Sequence, residues 1–234
     1  MMPRRGMLGV LAGGAGALLL LGGYNYFVPA RYRVRMTVEV VTPQGVRTGS
    51  SVYEESAYKA VHLTPHEHSG GGGLRGEAVV VDLPGGPLFV LLTSASASGQ
   101  PLGVLMTRAL SNKPNFKDVD AYVSAVRWLS WFGGKAELPR TDWPLMVRFQ
   151  NFDDPRSVEY AEPEAIGVRR IMLEVTSVGI TTGIEKHFPP WFEVLARRRA
   201  RFDGDNSIAV KSNPDTVAGT FGPGDFTTVY NPEH

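Results

Sequence analysis

Cysteine is absent from this 234-residue chain, and its absence removes several kinds of chemistry at once. The protein has no disulfide, no thiolate metal site, no cysteine nucleophile and no lipid-bearing cysteine. An excess of charge of one sign is also lacking, because 24 Lys and Arg residues stand against 23 Asp and Glu residues, for a net charge of +1. This balance excludes a nucleic-acid-binding protein built on a strong basic field, so no nucleic-acid partner is expected.

Motifs for cofactor binding and for serine catalysis are missing as well. No G-x-G-x-x-G follows a predicted strand, and we therefore assign no cofactor. No G-x-S-x-G is present, and the serines lie in stretches without a nucleophile signature. Chemistry has to be sought in other residue types.

An uncharged stretch follows the short basic start of the chain. Residues 6–30 carry no charged side chain, and residues 7–28 are dominated by Leu, Ala, Gly and Val. As a helix, this run would be about 33 Å long, enough to cross the apolar core of a bilayer. Tyr24, Tyr26 and Phe27 lie where an interfacial aromatic belt is expected. The sequence therefore predicts one N-terminal transmembrane helix within residues 1–30.

A cleaved secretory leader is the alternative to this anchor. Residues 15–17 have the A-x-A form of a cleavage site, but cutting there would leave Leu residues 18–21 at a new, exposed terminus. We therefore favour an uncleaved anchor. A short basic head followed by an apolar run normally keeps the head in the cytoplasm. This predicts a single-pass inner-membrane protein with its folded part in the periplasm.

Gly9 and Gly13 form a G-x-x-x-G pair inside the apolar run. This spacing lets two helix backbones approach closely and would support a homo-oligomer or contact with another envelope protein. A glycine-rich run also produces the same spacing by chance. The pair predicts a contact face without naming the partner.

The remainder of the chain has the pattern of an α+β domain. Residues 31–41 alternate between polar and apolar, and a turn at 43–45 leads into a returning strand over 46–53. Residues 76–83 and 88–93 predict a second hairpin, and residues 118–132 have the apolar spacing of an amphipathic helix. Further strands are predicted at 143–149 and 168–178, and helices at 101–110 and 184–200. We expect a mainly antiparallel sheet built from hairpins, with two or three helices.

The segment after residue 200 has a different composition. Residues 201–234 are rich in Asp, Asn, Gly and Pro and contain few apolar residues, so we predict a loosely ordered C-terminal tail. The predicted organisation is an anchor over 1–30, a globular domain over 31–200 and this tail.

Three of the five histidines, His62, His66 and His68, lie close together beside a run of four glycines. Imidazole is a common ligand for zinc, nickel and copper, so these residues are the candidate metal ligands. Because four glycines hold regular structure only at an entropic cost, we predict a flexible loop over 70–73. A solvated loop with three surface histidines is the competing interpretation.

Two surface features are candidate contact sites. Arg197, Arg198, Arg199 and Arg201 form a basic cluster, which suits either the end of a helix or an anionic surface such as lipid head groups. Trp131 and Phe132 fall outside the apolar stripe of the predicted helix and would form a contact surface.

Several stretches together resemble an uncharacterised family of bacterial membrane-anchored proteins. They are YRVRMTVEVVTPQGVRTGSSV near the start of the domain, GEAVVVDLPGG, TTGIEKHFPPW, FDGD and GTFGPGDFTT. The resemblance implies a bacterial origin and a single domain that includes the C-terminal segment. It implies no activity and no site residues.

Three functional hypotheses follow. The first is a single-span, membrane-anchored envelope protein whose periplasmic domain serves binding, assembly or scaffolding without catalysis. The second is a membrane-tethered, metal-assisted hydrolase that uses the loop from His62 to His68. The third is a secreted, soluble binding domain released by leader cleavage.

Overall fold

The computed structural model describes residues 28–59, 70–206 and 216–229, and it shows an α+β fold. The strands in chain order are β1 Ala30–Thr42, β2 Gly45–Lys59, β3 Gly70–Arg75, β4 Val79–Val81, β5 Leu88–Ser94, β6 Lys135–Glu137, β7 Pro144–Phe149, β8 Val158–Tyr160 and β9 Val168–Val175. The α-helices are α1 Leu102–Ser111, α2 Val119–Phe132, α3 Pro163–Ile166, α4 Trp191–Arg198 and α5 Val217–Thr220. Short 3-10 helices lie at Arg140–Asp142, Pro155–Ser157, Ile184–His187 and Pro223–Asp225.

The strands form two antiparallel sheets, where the sequence led us to expect one main sheet. Sheet one has the order β3-β2-β1-β9-β6, and sheet two has the order β4-β5-β7-β8. The predicted α+β class and both predicted hairpins are confirmed. The predicted amphipathic helix is α2, which begins where Asp118 accepts a hydrogen bond from the backbone N–H of Ala121.

The alternation of apolar and polar residues in β1 determines the buried face of sheet one. Val34, Met36 and Val38 are fully buried, while Arg35 and Thr37 between them lie on the outer face. The inner face packs against α1, α2 and one face of sheet two, which together form an aliphatic first core. A shift of the strand by one residue would have exposed these apolar side chains to solvent. The alternation of the sequence therefore determines which face of sheet one is buried.

Sheet two is buried on both faces. Val79, Val81 and Val90 point into the first core, whereas Phe89 and Leu91 point into a second one. The second core is largely aromatic, with the rings of Phe188 and Phe192 stacked 4.3 Å apart. Its outer layer comes from residues that follow β9.

The glycine run differs from its prediction as a flexible loop. Residues 70–75 form β3, which pairs antiparallel with β2 from Glu54 to Lys59. Glycine is needed there because a Cβ on Gly72 would lie 2.6 Å from the backbone oxygen of Ser56 and 3.3 Å from the Tyr122 ring. The close approach of neighbouring groups therefore selects glycine within a strand.

The segment after residue 200 also differs from its prediction. Phe202, Phe221 and Phe226 are buried in the second core, and the backbone N–H of Phe202 donates to the Phe221 carbonyl. Residues 201–206 and 216–229 are thus packed structure and belong to the domain, in place of the loosely ordered tail we expected. Residues 207–215 and 230–234 lie outside the described residues.

The predicted anchor, residues 7–28, lies outside the described residues apart from Val28. Within the described ranges, no helix combines the length and the apolar character needed to cross a membrane.

Candidate functional site

A buried carboxyl group, that of Glu55 on β2, marks the most unusual site in the described part of the chain. Along β2, Tyr53, Glu55 and Ala57 point toward the first core, so the strand alternation carries an acidic side chain inward. Glu54, the preceding residue, points outward and forms ion pairs with Arg33 and Arg75. Two adjacent glutamates therefore occupy opposite environments.

One tyrosine contacts the Glu55 carboxyl group, and a second tyrosine with a threonine forms a hydrogen-bond network nearby. The Tyr122 hydroxyl on α2 donates a short hydrogen bond to Glu55 Oε1. Tyr32, which is opposite Glu55 in the β1–β2 register, shares a hydrogen bond of 2.9 Å with the Thr107 hydroxyl on α1. The Thr107 hydroxyl in turn donates to the backbone carbonyl of Gly103 at 2.8 Å. The hydrogen bond from Tyr122 on α2 is thus the one shown to hold the carboxyl group within the described chain.

The second carboxyl oxygen, Oε2 of Glu55, has no hydrogen-bond partner among the described residues. It lies against Gly103 in the first turn of α1, where a Cβ would come within 1.9 Å of Oε2. Glycine at this position leaves the space that the carboxyl group fills. Because buried polar atoms are almost always paired, this oxygen is an exception that needs a physical explanation.

Glu55 and Tyr122 form part of the wall of a cavity of about 450 Å³. This volume is in the range of small-molecule sites. The wall is mostly apolar, and its polar side chains include Thr93, Ser94 and Gln100. Other lining residues are Gly72, Gly73, Leu74, Leu92, Gly99, Pro101, Leu102, Gly103, Val104 and Thr228.

Burial raises the pKa of Glu55 to about 7, and the hydrogen bond from Tyr122 offsets only part of this rise. Burial also raises the pKa values of Tyr122 and Tyr32 well above their usual range. Both phenols therefore stay protonated near neutral pH, while Glu55 changes its charge there. A carboxyl group that titrates near neutrality in a cavity is typical of functional sites.

A second feature is an aromatic face at the C-terminal end of α2, formed by Trp128, Trp131 and Phe132. Trp131 and Phe132 are 70% and 68% exposed, and the contact surface expected there stays a prediction. The ring of Phe132 lies 5.4 Å from that of Trp128 and 6.5 Å from that of Trp131. Large exposed aromatic groups of this kind mark interaction surfaces.

The aromatic face adjoins the point where the chain enters the domain. Arg127 on α2 donates a hydrogen bond of 3.2 Å to the backbone carbonyl of Val28. Val28, Pro29 and Arg31 line one shallow cleft together with Trp131. The end of the uncharged run and the aromatic face are therefore neighbours.

The candidate residues from the sequence have separate locations. His62, His66 and His68 lie outside the described residues, as do Gly9, Gly13, Tyr24, Tyr26 and Phe27, so both sets stay predictions. Within the described ranges, no three His, Asp or Glu side chains come together as metal ligands.

The basic cluster lies at the end of α4. Arg197, Arg198 and Arg199 are exposed, Arg201 is half-buried, and Arg197 approaches Glu193 to 3.7 Å one helical turn earlier. Arg199 adopts the left-handed conformation that ends the helix. Favourable charge at a helix C-terminus accounts for part of this cluster, and contact with an anionic surface stays a prediction.

No protein-family model, curated protein or solved structure matches this chain. The site is therefore interpreted from its own geometry. Sequence reasoning missed Glu55 and Tyr122 as site residues, although the alternation of Tyr53, Glu55 and Ala57 was a signal that Glu55 points inward.

Proposed function

We propose that this chain is a single-span, non-enzymatic protein of the bacterial inner membrane, with a periplasmic domain that acts in binding or assembly. The observation that supports this proposal most is the position of Val28. The residue that ends the uncharged run meets the domain beside exposed Trp131 and Arg31. A chain that leaves a bilayer at this point brings the aromatic face to the membrane surface.

The chemistry of that face suits a lipid interface. Tryptophan rings favour the head-group region, where one part of the ring is in apolar surroundings and the N–H is hydrated. Arg31 and Arg127 place positive charge beside the rings, which favours contact with anionic phosphates. The hydrogen bond from Arg127 to Val28 holds α2 close to the membrane exit.

Helix α2 connects this face to the cavity. Tyr122, in the first half of the helix, contacts Glu55, while the aromatic face occupies the last turn. The distance along the helix axis from Tyr122 to Trp128 is about 9 Å. The cavity supports a binding role for a domain held near the membrane. The G-x-x-x-G spacing of Gly9 and Gly13 in the sequence would favour a homo-oligomer.

Fluorescence quenching by lipids brominated near the head groups tests the membrane placement. The full-length protein is reconstituted in vesicles, and wild type is compared with a Trp128→Phe/Trp131→Phe variant. Trp143 and Trp191 remain in both proteins and serve as internal controls, since both rings donate hydrogen bonds within the domain. We expect wild type to be quenched and the variant to lose most of the quenchable emission. Equal quenching of the two proteins, or none in wild type, would contradict the placement.

The anchor and the orientation need a separate measurement. Intact-mass analysis of membrane-extracted protein should show residues 1–30 retained. Since the native chain has no cysteine, a Val178→Cys variant offers one exposed thiol for a membrane-impermeant maleimide. Labelling in cells with an intact inner membrane is expected. A soluble product that begins near residue 31, or a thiol that reacts only after lysis, would contradict this topology.

A further inference from the structure

We propose that the Glu55 cavity binds a small ligand that carries an ammonium group on a short apolar body. The inference names a ligand class for the binding role proposed above. It does not depend on which surface faces the membrane, because the cavity is formed by β2, β3, β5, α1, α2 and the segment between β5 and α1.

The charge of the cavity lining favours a ligand that carries a positive charge. Glu55 is the one carboxylic acid among the described lining residues, and none of these is Lys, Arg or His. The carboxyl group of Glu55 lines the cavity without a compensating positive charge among the described lining residues, and an ammonium group supplies that charge together with hydrogen-bond donors. A ligand carboxylate would meet the negative charge of Glu55 without compensation.

The lining of the cavity indicates which kind of ligand body, apart from the ammonium group, it would accept. Leu74, Leu92, Leu102 and Val104 supply apolar wall, and Thr93, Ser94 and Gln100 add uncharged polar side chains. Gly72 and Gly103 lie next to the Glu55 carboxyl group. Because glycine has no side chain, the carboxyl group meets only backbone atoms at these two positions. A short apolar body complements this combination of an apolar wall and a single carboxylic acid.

Ammonium binding competes with protonation of Glu55. The titratable groups that face this carboxyl group are Tyr122 on α2 and Tyr32 on β1, and both stay neutral near pH 7. The facing residues on α1 and β3, Gly103 and Gly72, carry no titratable group. Affinity for the ammonium ligand should therefore fall as the pH drops below about 7, where Glu55 takes up its proton.

The test uses the full-length protein in phosphatidylcholine nanodiscs with three probes of one shape: 3-methylbutylammonium, 3-methylbutanol and 3-methylbutanoate. Isothermal titration at pH 8 should show binding of the ammonium probe at least tenfold tighter than binding of the alcohol or the carboxylate. At pH 5.5 the affinity for the ammonium probe should be at least tenfold weaker than at pH 8. The alcohol should show no such change.

Glu55→Gln is the decisive variant, and Glu54→Gln is its matched control on the outer face of the same strand. We expect Glu55→Gln to lose at least tenfold in ammonium affinity with no loss of melting temperature, and Glu54→Gln to bind like wild type. Should Glu55→Gln fail to fold, the pH dependence in wild type decides the question alone.

The ammonium group has two natural sources, a free amine and the ethanolamine head group of a lipid. Nanodiscs that contain phosphatidylethanolamine separate them, because a lipid ligand would compete and weaken probe binding, whereas a free amine would leave it unchanged. Absence of ammonium binding, equal binding of the three probes, or full affinity in Glu55→Gln would overturn the proposal. None of these outcomes bears on the quenching of Trp128 and Trp131, so failure here is distinct from failure of the membrane placement.

Discussion

Two glutamates, Glu55 in the first core and Glu77 beside the second, are each only 2% exposed but are held in opposite ways. Glu77 Oε2 accepts a hydrogen bond of 2.9 Å from the backbone N–H of Ile184, with a further bond from Gly183. Its Oε1 accepts one from the Thr227 hydroxyl. Glu55 has only Tyr122 on one oxygen and nothing on the other within the described chain.

The difference separates a structural carboxyl group from a functional one. Glu77 joins the start of sheet two to the C-terminal layer, since its three donors come from two distant segments. Glu55 does not link two distant segments in this way, because its one hydrogen-bond partner in the described chain is Tyr122. Its ionised form destabilises the fold because the charge is buried without a partner of opposite charge. A residue that weakens the fold and lines a cavity is best explained by the ligand that it binds.

The largest expected change in the free energy of unfolding comes from substitution of Glu77, the structural carboxyl group. Glu77→Ala leaves the buried backbone N–H groups of Gly183 and Ile184 without an acceptor, which should lower the free energy of unfolding by about 4 kcal/mol. Chemical denaturation of the full-length protein in detergent measures this loss. Glu137→Ala, at an exposed position on β6, is the control and should change stability by less than about 0.5 kcal/mol. A loss below about 1 kcal/mol for Glu77→Ala would show that the junction is not structural.

The next effect is a pH dependence that belongs to Glu55. Because its folded-state pKa of about 7 exceeds the unfolded value, the folded chain binds more protons between pH 4.5 and 7. The free energy of unfolding should therefore fall by about 3 kcal/mol as the pH rises through this window, and this contribution should be constant above it.

Glu55→Gln removes that contribution and isolates it from Glu77, whose pKa burial also raises. The variant should be more stable than wild type by about 3 kcal/mol at pH 8 and of equal stability near pH 4.5. Denaturation curves at both pH values measure the difference. A variant that is less stable than wild type at pH 8 would assign Glu55 a structural role like that of Glu77.

Gly103→Ala probes the space around the unpaired oxygen. The added Cβ would overlap Glu55 Oε2, so we expect a loss of about 2 kcal/mol as the carboxyl group is displaced. The loss should largely disappear in the background of Glu55→Ala, which removes the overlapping atoms. Equal losses in both backgrounds would show that the helix turn itself requires glycine.

The smallest effect is expected from Tyr122→Phe. It removes the hydroxyl that lowers the pKa of Glu55, so that pKa should rise above about 7 at a cost of about 1 kcal/mol in stability. The pH at which the unfolding free energy becomes constant should move upward accordingly. Tyr160→Phe, at an exposed tyrosine on β8, should leave that pH unchanged.

Local patterns predicted the elements of this fold well where one physical rule dominates. The alternation in β1 and the apolar stripe of α2 correctly predicted a strand and a helix, because one face of each element is buried. The glycines of β3 were misinterpreted because their flexibility was weighed without the groups that approach them. Phe202, Phe221 and Phe226 were missed because single aromatic residues among Asp, Gly and Pro show no periodicity, although each is buried.

The candidate site could not be predicted from local sequence patterns, for a related reason. Glu55 and Tyr122 lie 67 positions apart in the chain, and only the packing of α2 onto β2 brings them together. Whether a buried acid is compensated depends on every neighbour in space, as the contrast between Glu55 and Glu77 shows. A strand pattern predicts the direction of a side chain but not its partners.

Direct titration of Glu55 tests the central claim most directly. Glutamate side chains are labelled with ¹³C at the carboxyl carbon in the full-length protein, and the resonance that disappears in Glu55→Gln is followed with pH. We expect that carboxyl group to titrate with a pKa of about 7 and to shift to a lower pKa when 3-methylbutylammonium is added. A pKa near 4.5 that does not respond to the amine would mean that Glu55 is already compensated in the folded protein, and the account would be wrong.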